Sequence, residues 1–442
     1  MILFFVVRHV DRENTKTLAK IKSQAETDML TGQPNRYGLL SYAEKRVTDN
    51  PYTALFIDLS KFKHLNDTLG HRVGDEALIA IARRINQTLK DGDMLVRFGG
   101  DEFLIMTSET QSGILEKKAL RVIKAIEAPL RLGNKIVEIW ANIGIASYPD
   151  DGEDVMEVIS SADLAMYEAK QKVIPWCFFD QKIKQKHLGA IQIENDIIEA
   201  LKYDEFSLAY QPQINNIGEL IGVEALLRWN HREKGAIPPD EYINIAEHRG
   251  LMPQLGEHVL RLAAKDMNGL LSKISHPITL SINVSVSQFS SPNFASNLIE
   301  ILGGIKGVQT NIVLEVTESL FIGDTSEVNR ALHEIKQHGM MISLDDFGTG
   351  YSSLSLLRVL DIDELKIDRS LITPITQNND ALSVVKSIVD IGHTLGMSVL
   401  SEGIETKEQL ALLTEIGCDR FQGFYFSKPL SPAALLEFIN NP

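Results

Sequence analysis

The chain has 442 residues, of which 44% are hydrophobic and 23% are charged, and this length and composition predict two globular domains that each bury a core. The formal net charge of −15 argues against a nucleic-acid polymer as the partner, because proteins that bind such polymers need a basic face. A small anionic nucleotide is still compatible, since metal ions and a few lysines reverse the sign of the charge locally. The two cysteines, Cys177 and Cys418, are far apart in the sequence and make no disulfide framework, which predicts a cytoplasmic location.

The N-terminal segment begins with an apolar run at residues 2–7, followed by Arg8 and His9. The run is too short to span a bilayer, which takes ~20 residues, and it lacks the small-residue cleavage site of a signal peptide. Two interpretations stay open: the run packs against the protein, or it ends a longer upstream segment that would bring the protein to a membrane. Residues 11–26 are polar, without Gly or Pro, so residues 1–26 are interpreted as an apolar stub and a signalling helix.

The first half alternates apolar runs with helical patterns, which predicts an α/β sandwich. The predicted elements are, in chain order, a strand at 54–59, a helix at 75–89, a hairpin of strands at 94–98 and 103–106, a strand at 138–147 and a helix at 154–170. The hairpin turn contains Gly99 and Gly100, which allow the positive φ angles of a tight turn.

Three carboxylates are predicted to meet beside this turn. Asp101 and Glu102 leave the turn together, and Asp58 ends the strand at 54–59. Carboxylates at one point repel each other unless they hold a cation, and oxygen ligands favour Mg²⁺ or Mn²⁺, the ions that accompany nucleotide triphosphates.

Motifs around these acids identify a family. The stretches 28–36, 57–67, 70–75, 97–103 (Arg-Phe-Gly-Gly-Asp-Glu-Phe) and 162–170 together resemble the GGDEF domain of diguanylate cyclases. The resemblance covers residues 27–172, and the domain is placed at 27–176. It implies three groups of site residues: one or two metal ions on Asp58, Asp101 and Glu102 with the Leu59 carbonyl, guanine recognition by Asn66 and Asp75, and phosphate contacts from Lys63 and Lys170. Asp101 and Glu102 are also the implied catalytic residues.

The sequence departs from the GGDEF pattern at three places. Ser60 replaces a usual second aspartate, and residues 173–175 replace a usual Gly-Arg-Asn. The inhibitory product site, normally an arginine three residues before an aspartate, is here Lys90 and Asp93. Lysine lacks the bidentate fork of arginine, so we expect a degenerate site and weak product inhibition. Two functions stay open for this half: synthesis of cyclic di-GMP, or binding of GTP as a regulator.

In the second half, apolar runs end repeatedly in one polar residue. These residues are Gln211, Gln213, Glu224, Asn283, Glu315, Asp345, Asp346, Lys366, Glu402 and Gln422. Helical patterns separate the runs, for example at 254–271 and 381–396. Strand–helix repetition of this length predicts a TIM-type (β/α)8 barrel, in which the strand ends converge on one mouth. Residues 177–189 are interpreted as a connector, and the barrel domain is placed at 190–442.

The barrel motifs also identify a family. The stretches 224–229 (Glu-Ala-Leu-Leu-Arg-Trp), 281–285, 314–318, 345–354, 365–369, 401–406 and 422–429 resemble the EAL-domain phosphodiesterases of cyclic di-GMP. The resemblance implies that two Mg²⁺ or Mn²⁺ ions are held by Glu224, Asn283, Glu315, Asp345, Asp346 and Glu402. It implies that Lys366 positions the attacking water, with Glu402 as a metal ligand or general base, and that Glu224, Lys366 and Glu402 are catalytic.

Further residues are implied to act on the substrate. Gln211 and Arg228 would hold the dinucleotide, Gln422 would orient water, and Glu405 would support the loop at 345–354. The predicted reaction is hydrolysis of cyclic di-GMP to linear pGpG. A bifunctional enzyme with dominant cyclase activity and a non-enzymatic cyclic di-GMP receptor are the alternatives. Cyclase chemistry joins two GTP molecules held by two GGDEF domains, so the expected assembly is a homodimer.

Overall fold

The computed structural model describes residues 24–46, 50–133, 135–274, 277–291, 293–305, 311–321, 326–348 and 361–440. The chain divides into two compact units, Met1–Ala190 and Ile191–Pro442. Most of the predicted N-terminal stub and signalling helix lies outside the described residues. No helix within the described ranges combines the length and the apolar character needed to cross a bilayer.

The first unit is an α/β sandwich, as predicted. Its strands are β1 Tyr52–Ser60, β2 Met94–Gly99, β3 Glu102–Thr107, β4 Leu130–Leu132, β5 Lys135–Val137, β6 Trp140–Tyr148 and β7 Trp176–Phe178. Its helices are α1 Arg36–Arg46, α2 Phe62–Leu69, α3 His71–Thr88, α4 Ser112–Glu127, α5 Val155–Gln171 and α6 Gln181–Ala200, the last of which continues into the second unit. Among the described residues, the main sheet has the order β2-β3-β1-β6-β7.

Strand β1 is the centre of this sheet and separates two hydrophobic clusters. Leu55 and Ile57 face a cluster with α2, α3 and α4, whereas Ala54 and Phe56 face a cluster with α5. This alternation follows from the two-residue period of a strand. Helix α5 packs closely because Gly144 of β6 has no side chain: a Cβ there would lie 1.9 Å from the Ala162 carbonyl oxygen.

The second unit contains a closed barrel. Its strands are β8 Phe206–Asn215, β9 Leu220–His231, β10 Gly235–Ile237, β11 Thr279–Asn283, β12 Asn311–Thr317, β13 Met341–Phe347, β14 Glu364–Ile367, β15 Ser398–Ser401 and β16 Arg420–Gln422. Its helices are α7 Pro239–His248, α8 Met252–Leu271, α9 Val286–Phe289, α10 Phe294–Leu302, α11 Ser326–Gln337, α12 Arg369–Ile372, α13 Asn379–Thr394, α14 Lys407–Glu415 and α15 Pro432–Asn440, with a 3₁₀ turn at Glu318–Phe321. In the described chain, β8, β9 and β11 to β16 close on each other through the β8–β9 pairing.

The barrel departs from a regular (β/α)8 barrel at its first strand. Strands β9, β11, β12, β13, β14, β15 and β16 pair in this order and are parallel to one another, but β8 is antiparallel to both β9 and β16. The reason is the short connection at 216–219, where Gly218 has a φ of 87°. A connection of this length makes a hairpin and cannot contain the crossover helix that parallel strands need. The start of β8 therefore lies at the mouth, where the other strands end.

Candidate active sites

In the first unit, the turn between β2 and β3 brings the predicted carboxylates together. Asp58 is directly opposite Glu102 in the β1–β3 register, and Asp101 lies in the adjoining turn. Leu59 follows in the same strand and is buried. The ammonium of Lys170, at the end of α5, lies 2.6 Å from Asp58 Oδ2. The structure thus joins the strand and turn carboxylates that the sequence predicted to meet, and it adds Lys170, which was predicted to contact phosphates, as a partner of Asp58.

These carboxylates are short of positive charge. Partial burial, followed by the charges of Asp163 and Asp101, raises the pKa of Glu102. Partial burial also raises the pKa of Asp101, and Asp58 adds to this. Asp163, on α5, is a fourth acid at the site that our sequence analysis did not single out, although it lies within the 162–170 motif. A cluster of this charge fits a cation with oxygen ligands.

The predicted guanine-reading residues lie on two consecutive helices. Asn66 is on α2, and its side chain packs against Gly74 of α3, where a Cβ would lie 1.9 Å from Asn66 Oδ1. Asp75 is the next residue of α3 and is exposed, as is Lys63 on α2. The glycine therefore allows the Asn66 amide to approach the first turns of α3, the helix that carries Asp75.

The departures from the GGDEF pattern have structural partners. Ser60 donates a hydrogen bond to Asn142 Oδ1 at 2.8 Å, and Asn142 Nδ2 donates to the carbonyl of Ile174 at 2.8 Å. The altered residue of β1 is therefore linked to the altered segment 173–175.

The predicted degenerate inhibitory site contains a buried ion pair. Asp93 accepts a hydrogen bond from the Lys90 backbone N–H, and Lys118 Nζ lies 2.6 Å from Asp93 Oδ1. Both charged side chains are almost fully buried, at 3% exposure for Lys118 and 6% for Asp93. Burial works to raise the pKa of Asp93, but the hydrogen bond from Lys118 holds it below its usual value. The Asp93 carboxylate is thus engaged by Lys118, and the inhibitory role of Lys90 and Asp93 stays a prediction.

In the second unit, Lys366 lies in the middle of a ring of acids. Its neighbours Leu365 and Ile367 belong to the core outside the barrel, so Lys366 points inward. The distances from its ammonium are 2.6 Å to Glu402 Oε1, 2.7 Å to Glu315 Oε2, 3.2 Å to Asp345 Oδ1 and 3.8 Å to Glu224 Oε2. Four different strands supply these acids. Glu315 and Asp345 lie near the ends of β12 and β13, and Glu402 follows β15, as predicted, whereas Glu224 lies inside β9, which continues past it to His231 as the hairpin partner of β8.

Glu224 is held by hydrogen bonds on both of its oxygens. Asn283 Nδ2 donates to Oε1 at 2.7 Å, and Gln422 Nε2 donates to Oε2. Burial acts to raise the pKa of Glu224, but the Lys366 charge and the two amides lower it overall. Because Asn283 donates to Glu224 through its amide nitrogen, its Oδ1 points away from Glu224 and can accept a hydrogen bond or ligate a cation.

The acid ring carries more negative charge than Lys366 neutralises. Burial, with repulsion from Glu224, raises the pKa of Glu315 well above its usual value. Burial raises the pKa of Glu402 to about 8, although the Lys366 charge opposes this. Glu315 Oε1 is buried and has no hydrogen-bond partner among the described residues.

These features fit a divalent cation. Within the described residues, no three acidic, histidine or cysteine side chains already surround a common point as a metal-ligand set, and the ammonium of Lys366 occupies the middle of the ring. The excess carboxylate charge and the unpartnered Glu315 oxygen are nevertheless what hard cations with oxygen ligands require. The pKa of Asp346 is also raised, first by burial and then by Asp345 beside it.

A cavity of about 790 Å³ opens above the acid ring. Glu224, Asn283, Asp345 and Asp346 line its floor, and Arg228 lies on its wall towards the mouth. This volume suits a ligand of drug or dinucleotide size.

Two other predicted residues, Gln211 and Glu405, are not among the residues that line this cavity. Gln211 is buried opposite Glu224 in the β8–β9 register, and its amide nitrogen lies 3.4 Å from the Ser427 carbonyl oxygen. Glu405 forms an ion pair with Arg369 at 2.7 Å, outside the acid ring. The loop that Glu405 is predicted to support lies outside the described residues from 349 onwards, so its role stays a prediction.

Comparison with known families gives two matches. The EAL domain matches residues 194–429, which is more than half of the chain. The diguanylate cyclase GGDEF domain matches residues 25–173. The chain belongs to the EAL family. Its first half is a GGDEF domain, and the domains of both families use divalent metal ions.

This EAL protein resembles curated relatives over nearly its whole length. It is 36% identical over 419 residues to the bifunctional diguanylate cyclase/cyclic di-GMP phosphodiesterase MucR of Pseudomonas aeruginosa, covering 93% of this chain and 61% of MucR. It is 33% identical over 431 residues to the cyclic di-GMP phosphodiesterase PdeR of Escherichia coli, covering 96% of this chain and 65% of PdeR. The chain therefore spans less than two thirds of the length of these relatives.

Two solved structures extend the comparison. The phosphodiesterase of MucR in complex with c-di-GMP matches with a TM-score of 0.52 and 37% identity, over 55% of this chain and 99% of that one. The S helix-GGDEF-EAL part of LapD from Vibrio cholerae, bound to c-di-GMP, matches with a TM-score of 0.56 and 17% identity, over 93% of this chain and 99% of that one. At this low identity, the LapD match bears on the fold alone.

Proposed function

We propose that the barrel hydrolyses cyclic di-GMP to linear pGpG. The observation that carries the proposal is the ring of Glu224, Glu315, Asp345 and Glu402 around Lys366, at the floor of a cavity large enough for a dinucleotide. The relatives named as cyclic di-GMP phosphodiesterases support the choice of substrate. A receptor that only binds cyclic di-GMP would be expected to have lost site residues, and each predicted one is present in this sequence.

The proposed cofactors are two Mg²⁺ or Mn²⁺ ions. The residues that would hold them are Glu224, Asn283, Glu315, Asp345, Asp346 and Glu402. Divalent ions at this position supply positive charge that neutralises a phosphodiester and activates water.

The side chains of the chain itself supply orientation and charge. Lys366 holds four carboxylates at fixed distances and presents its ammonium where the attacking water would lie. Glu402, in contact with that ammonium, is a metal ligand or the general base. Arg228 lines the cavity and offers a guanidinium to an anionic phosphate. Gln211 is buried opposite Glu224 and does not line this cavity, so its proposed contact with the dinucleotide rests on the family resemblance.

The test is turnover of cyclic di-GMP with Mg²⁺ or Mn²⁺, with the products separated by chromatography. Glu224→Ala should lower the rate by roughly 10²-fold or more, as expected for a group that acts on the transition state. Glu257→Ala is the matched control, because it removes an exposed carboxylate of α8 in the same unit. Equal rates in the wild type and in Glu224→Ala would exclude the assignment.

For the first half we propose Mg²⁺- or Mn²⁺-dependent GTP binding. Its support is the junction of Asp58, Asp101, Glu102 and Lys170 beside a glycine turn. Two outcomes are distinguished by incubating the protein with GTP and Mg²⁺ or Mn²⁺, without added cyclic di-GMP. Formation of cyclic di-GMP, or of the pGpG that the barrel would make from it, identifies a cyclase, whereas binding without either product identifies a regulator of the barrel.

The proposed setting is cytoplasmic, and the proposed assembly is a homodimer. Two GGDEF domains must face each other for synthesis, because each holds one of the two GTP molecules that react. Light scattering after size-exclusion chromatography, with and without GTP, measures the mass directly.

A further inference from the structure

A chain of buried amides leads from the inside of β8 to the acid ring. Gln213 Nε2 donates to Gln422 Oε1 at 3.1 Å, and Gln422 Nε2 donates in turn to Glu224 Oε2. Gln213 is fully buried and Gln422 is 4% exposed. Gln213 does not line the substrate cavity. Its Nε2 also donates a longer hydrogen bond, of 3.4 Å, to Ser281 Oγ, so Gln422 is its shorter and more direct link to the acid ring.

The donor and acceptor groups of the two glutamines determine the direction of these hydrogen bonds. An amide has a donor end and an acceptor end of nearly equal shape, so Gln422 could face Glu224 with either one. Only the N–H end is compatible with an ionised carboxylate. Because Gln213 offers its own N–H to Gln422 Oε1, it favours the orientation in which Gln422 donates to Glu224. The other oxygen of Glu224 accepts a hydrogen bond from Asn283, so the two amides together determine the orientation of the carboxylate.

The backbone of β9 leaves room for this side chain. A Cβ at Gly222 would lie 2.6 Å from Gln213 Oε1 and 3.1 Å from the Cβ of Thr279. Gly222 is opposite Gln213 in the β8–β9 register. A residue with a side chain at this position would displace the amide that orients Gln422.

We propose that Gln213 is a positioning residue for the hydrolytic site: it sets the amide orientation of Gln422 and thereby the alignment of the Glu224 carboxylate towards a divalent cation. The inference rests on the proposed phosphodiesterase function. Neither Gln213 nor Gly222 touches the substrate cavity, so their effect is on the alignment of Glu224 and not on substrate contacts.

Two substitutions separate this role from simple filling of space. Gln213→Glu keeps the shape but offers an acceptor, which draws the Gln422 N–H away from Glu224. Gln213→Met keeps the length and removes the donor. If Gln213 only fills space, Gln213→Met should behave as the wild type, whereas a donor role predicts that both variants are impaired and that Gln213→Glu is the worse. Gln409→Glu is the control, because the Gln409 oxygen is already an acceptor, from the Glu405 and Thr406 N–H groups.

The primary measurement is Mn²⁺ binding by calorimetry on the full chain, which does not depend on turnover. Loss of a residue that orients a metal ligand typically weakens metal affinity by ~10–100-fold, and this is the expected change for Gln213→Glu. At saturating Mn²⁺, kcat for cyclic di-GMP should fall while KM stays unchanged. Thermal unfolding, followed by circular dichroism, shows whether each variant is folded, and Gln213→Met supplies the test if Gln213→Glu is not.

The outcomes are distinct. Wild-type Mn²⁺ affinity in a folded Gln213→Glu or Gln213→Met protein overturns the inference, even if the melting temperature falls. A rise in KM with unchanged kcat and unchanged Mn²⁺ affinity also overturns it. If the wild type fails to hydrolyse cyclic di-GMP but Mn²⁺ binding depends on Gln213 as described, the proposed function fails while the inference about Glu224 stands.

Discussion

Replacement of Lys366 by methionine tests the acid ring most directly. The substitution keeps a long side chain in the barrel but removes the ammonium from three carboxylates at 3.2 Å or less and a fourth at 3.8 Å. At the effective dielectric constant of such sites, opposite charges 4 Å apart attract by about 4 kcal/mol, and much of this is offset by desolvation. Removing one partner of a buried ion pair costs about 3–5 kcal/mol, because the remaining charges are left uncompensated.

The expected result for Lys366→Met has two parts. Without metal, the barrel unit should melt roughly 10 °C lower than in the wild type, given a shift of about 2–4 °C per kcal/mol for a domain of this size. Turnover should fall by ~10²-fold or more, because a charge acting at the reacting centre is lost. Added Mn²⁺ should raise the melting temperature of the variant more than that of the wild type, since the cation then supplies the missing positive charge.

The assay is calorimetric melting with and without Mn²⁺, combined with initial rates of pGpG formation. Lys118→Met is the matched control, because it removes another buried, ion-paired lysine but in the first unit. It should lower the stability of that unit and leave the Mn²⁺ response of the barrel unchanged. A Lys366→Met protein with wild-type stability and turnover would refute the reasoning.

Three further outcomes follow from buried and exposed charges. The Lys118 hydrogen bond lowers the folded pKa of Asp93, so the stability it contributes is present above the ordinary aspartate pKa and is lost as the pH falls through the folded value. In Lys118→Met this hydrogen bond and the lysine charge are lost, while the hydrogen bonds from Thr107 and the Lys90 N–H to Asp93 remain. The stability that the first unit loses as the pH falls through the folded pKa of Asp93 should therefore be smaller than in the wild type, which melting curves at several pH values measure. Asp75→Ala should abolish GTP binding in calorimetry, and the wild type should bind GTP far better than ATP, because adenine leaves guanine-reading groups unpaired; equal binding of both nucleotides would contradict this. Glu364→Arg should cost about 3–5 kcal/mol in urea unfolding by removing the buried partner of Arg420, and adding Arg420→Glu should restore part of the loss, whereas strictly additive losses would show that the pair is not coupled.

The elements of both units could be predicted from the sequence where apolar runs were long. The strand predicted at 54–59 is β1, Tyr52–Ser60, and the predicted hairpin is β2 and β3. The helix predicted at 254–271 is α8, Met252–Leu271. These elements bury one face or both, so the spacing of their apolar residues in the sequence is that of a strand or a helix.

The antiparallel direction of β8 was missed, although a signal for it existed. The connection at 216–219 contains Gly218 and follows Asn215, whose side chain accepts hydrogen bonds from the Ile217 and Glu219 N–H groups. These are turn residues between two apolar runs, and such a pattern predicts a hairpin. The repetition of strands and helices in the rest of the second half favoured a regular barrel of parallel strands instead.

The acids of the barrel mouth could be found because each one follows an apolar run and matches a motif. Their mutual arrangement could not, since the Lys366–Glu402 contact and the Gln213–Gln422 contact join residues far apart in the sequence. The same holds for the buried pair of Lys118 and Asp93. Asp163 lies within a recognised motif, but only the fold shows that its charge acts on the β2–β3 turn.

The reversed direction of β8 decides where the chain enters the barrel. In a barrel of parallel strands, the first strand starts at the face opposite the mouth. Here Phe206 begins β8 beside Trp229, near the end of β9, so the segment at 191–205 arrives on the catalytic side. Ile197 of that segment packs in one cluster with Tyr242 of α7, and Asp240, Ile243 and Glu247 of the same helix line the substrate cavity. A displacement of this segment would therefore act on the wall of the cavity without having to cross the barrel.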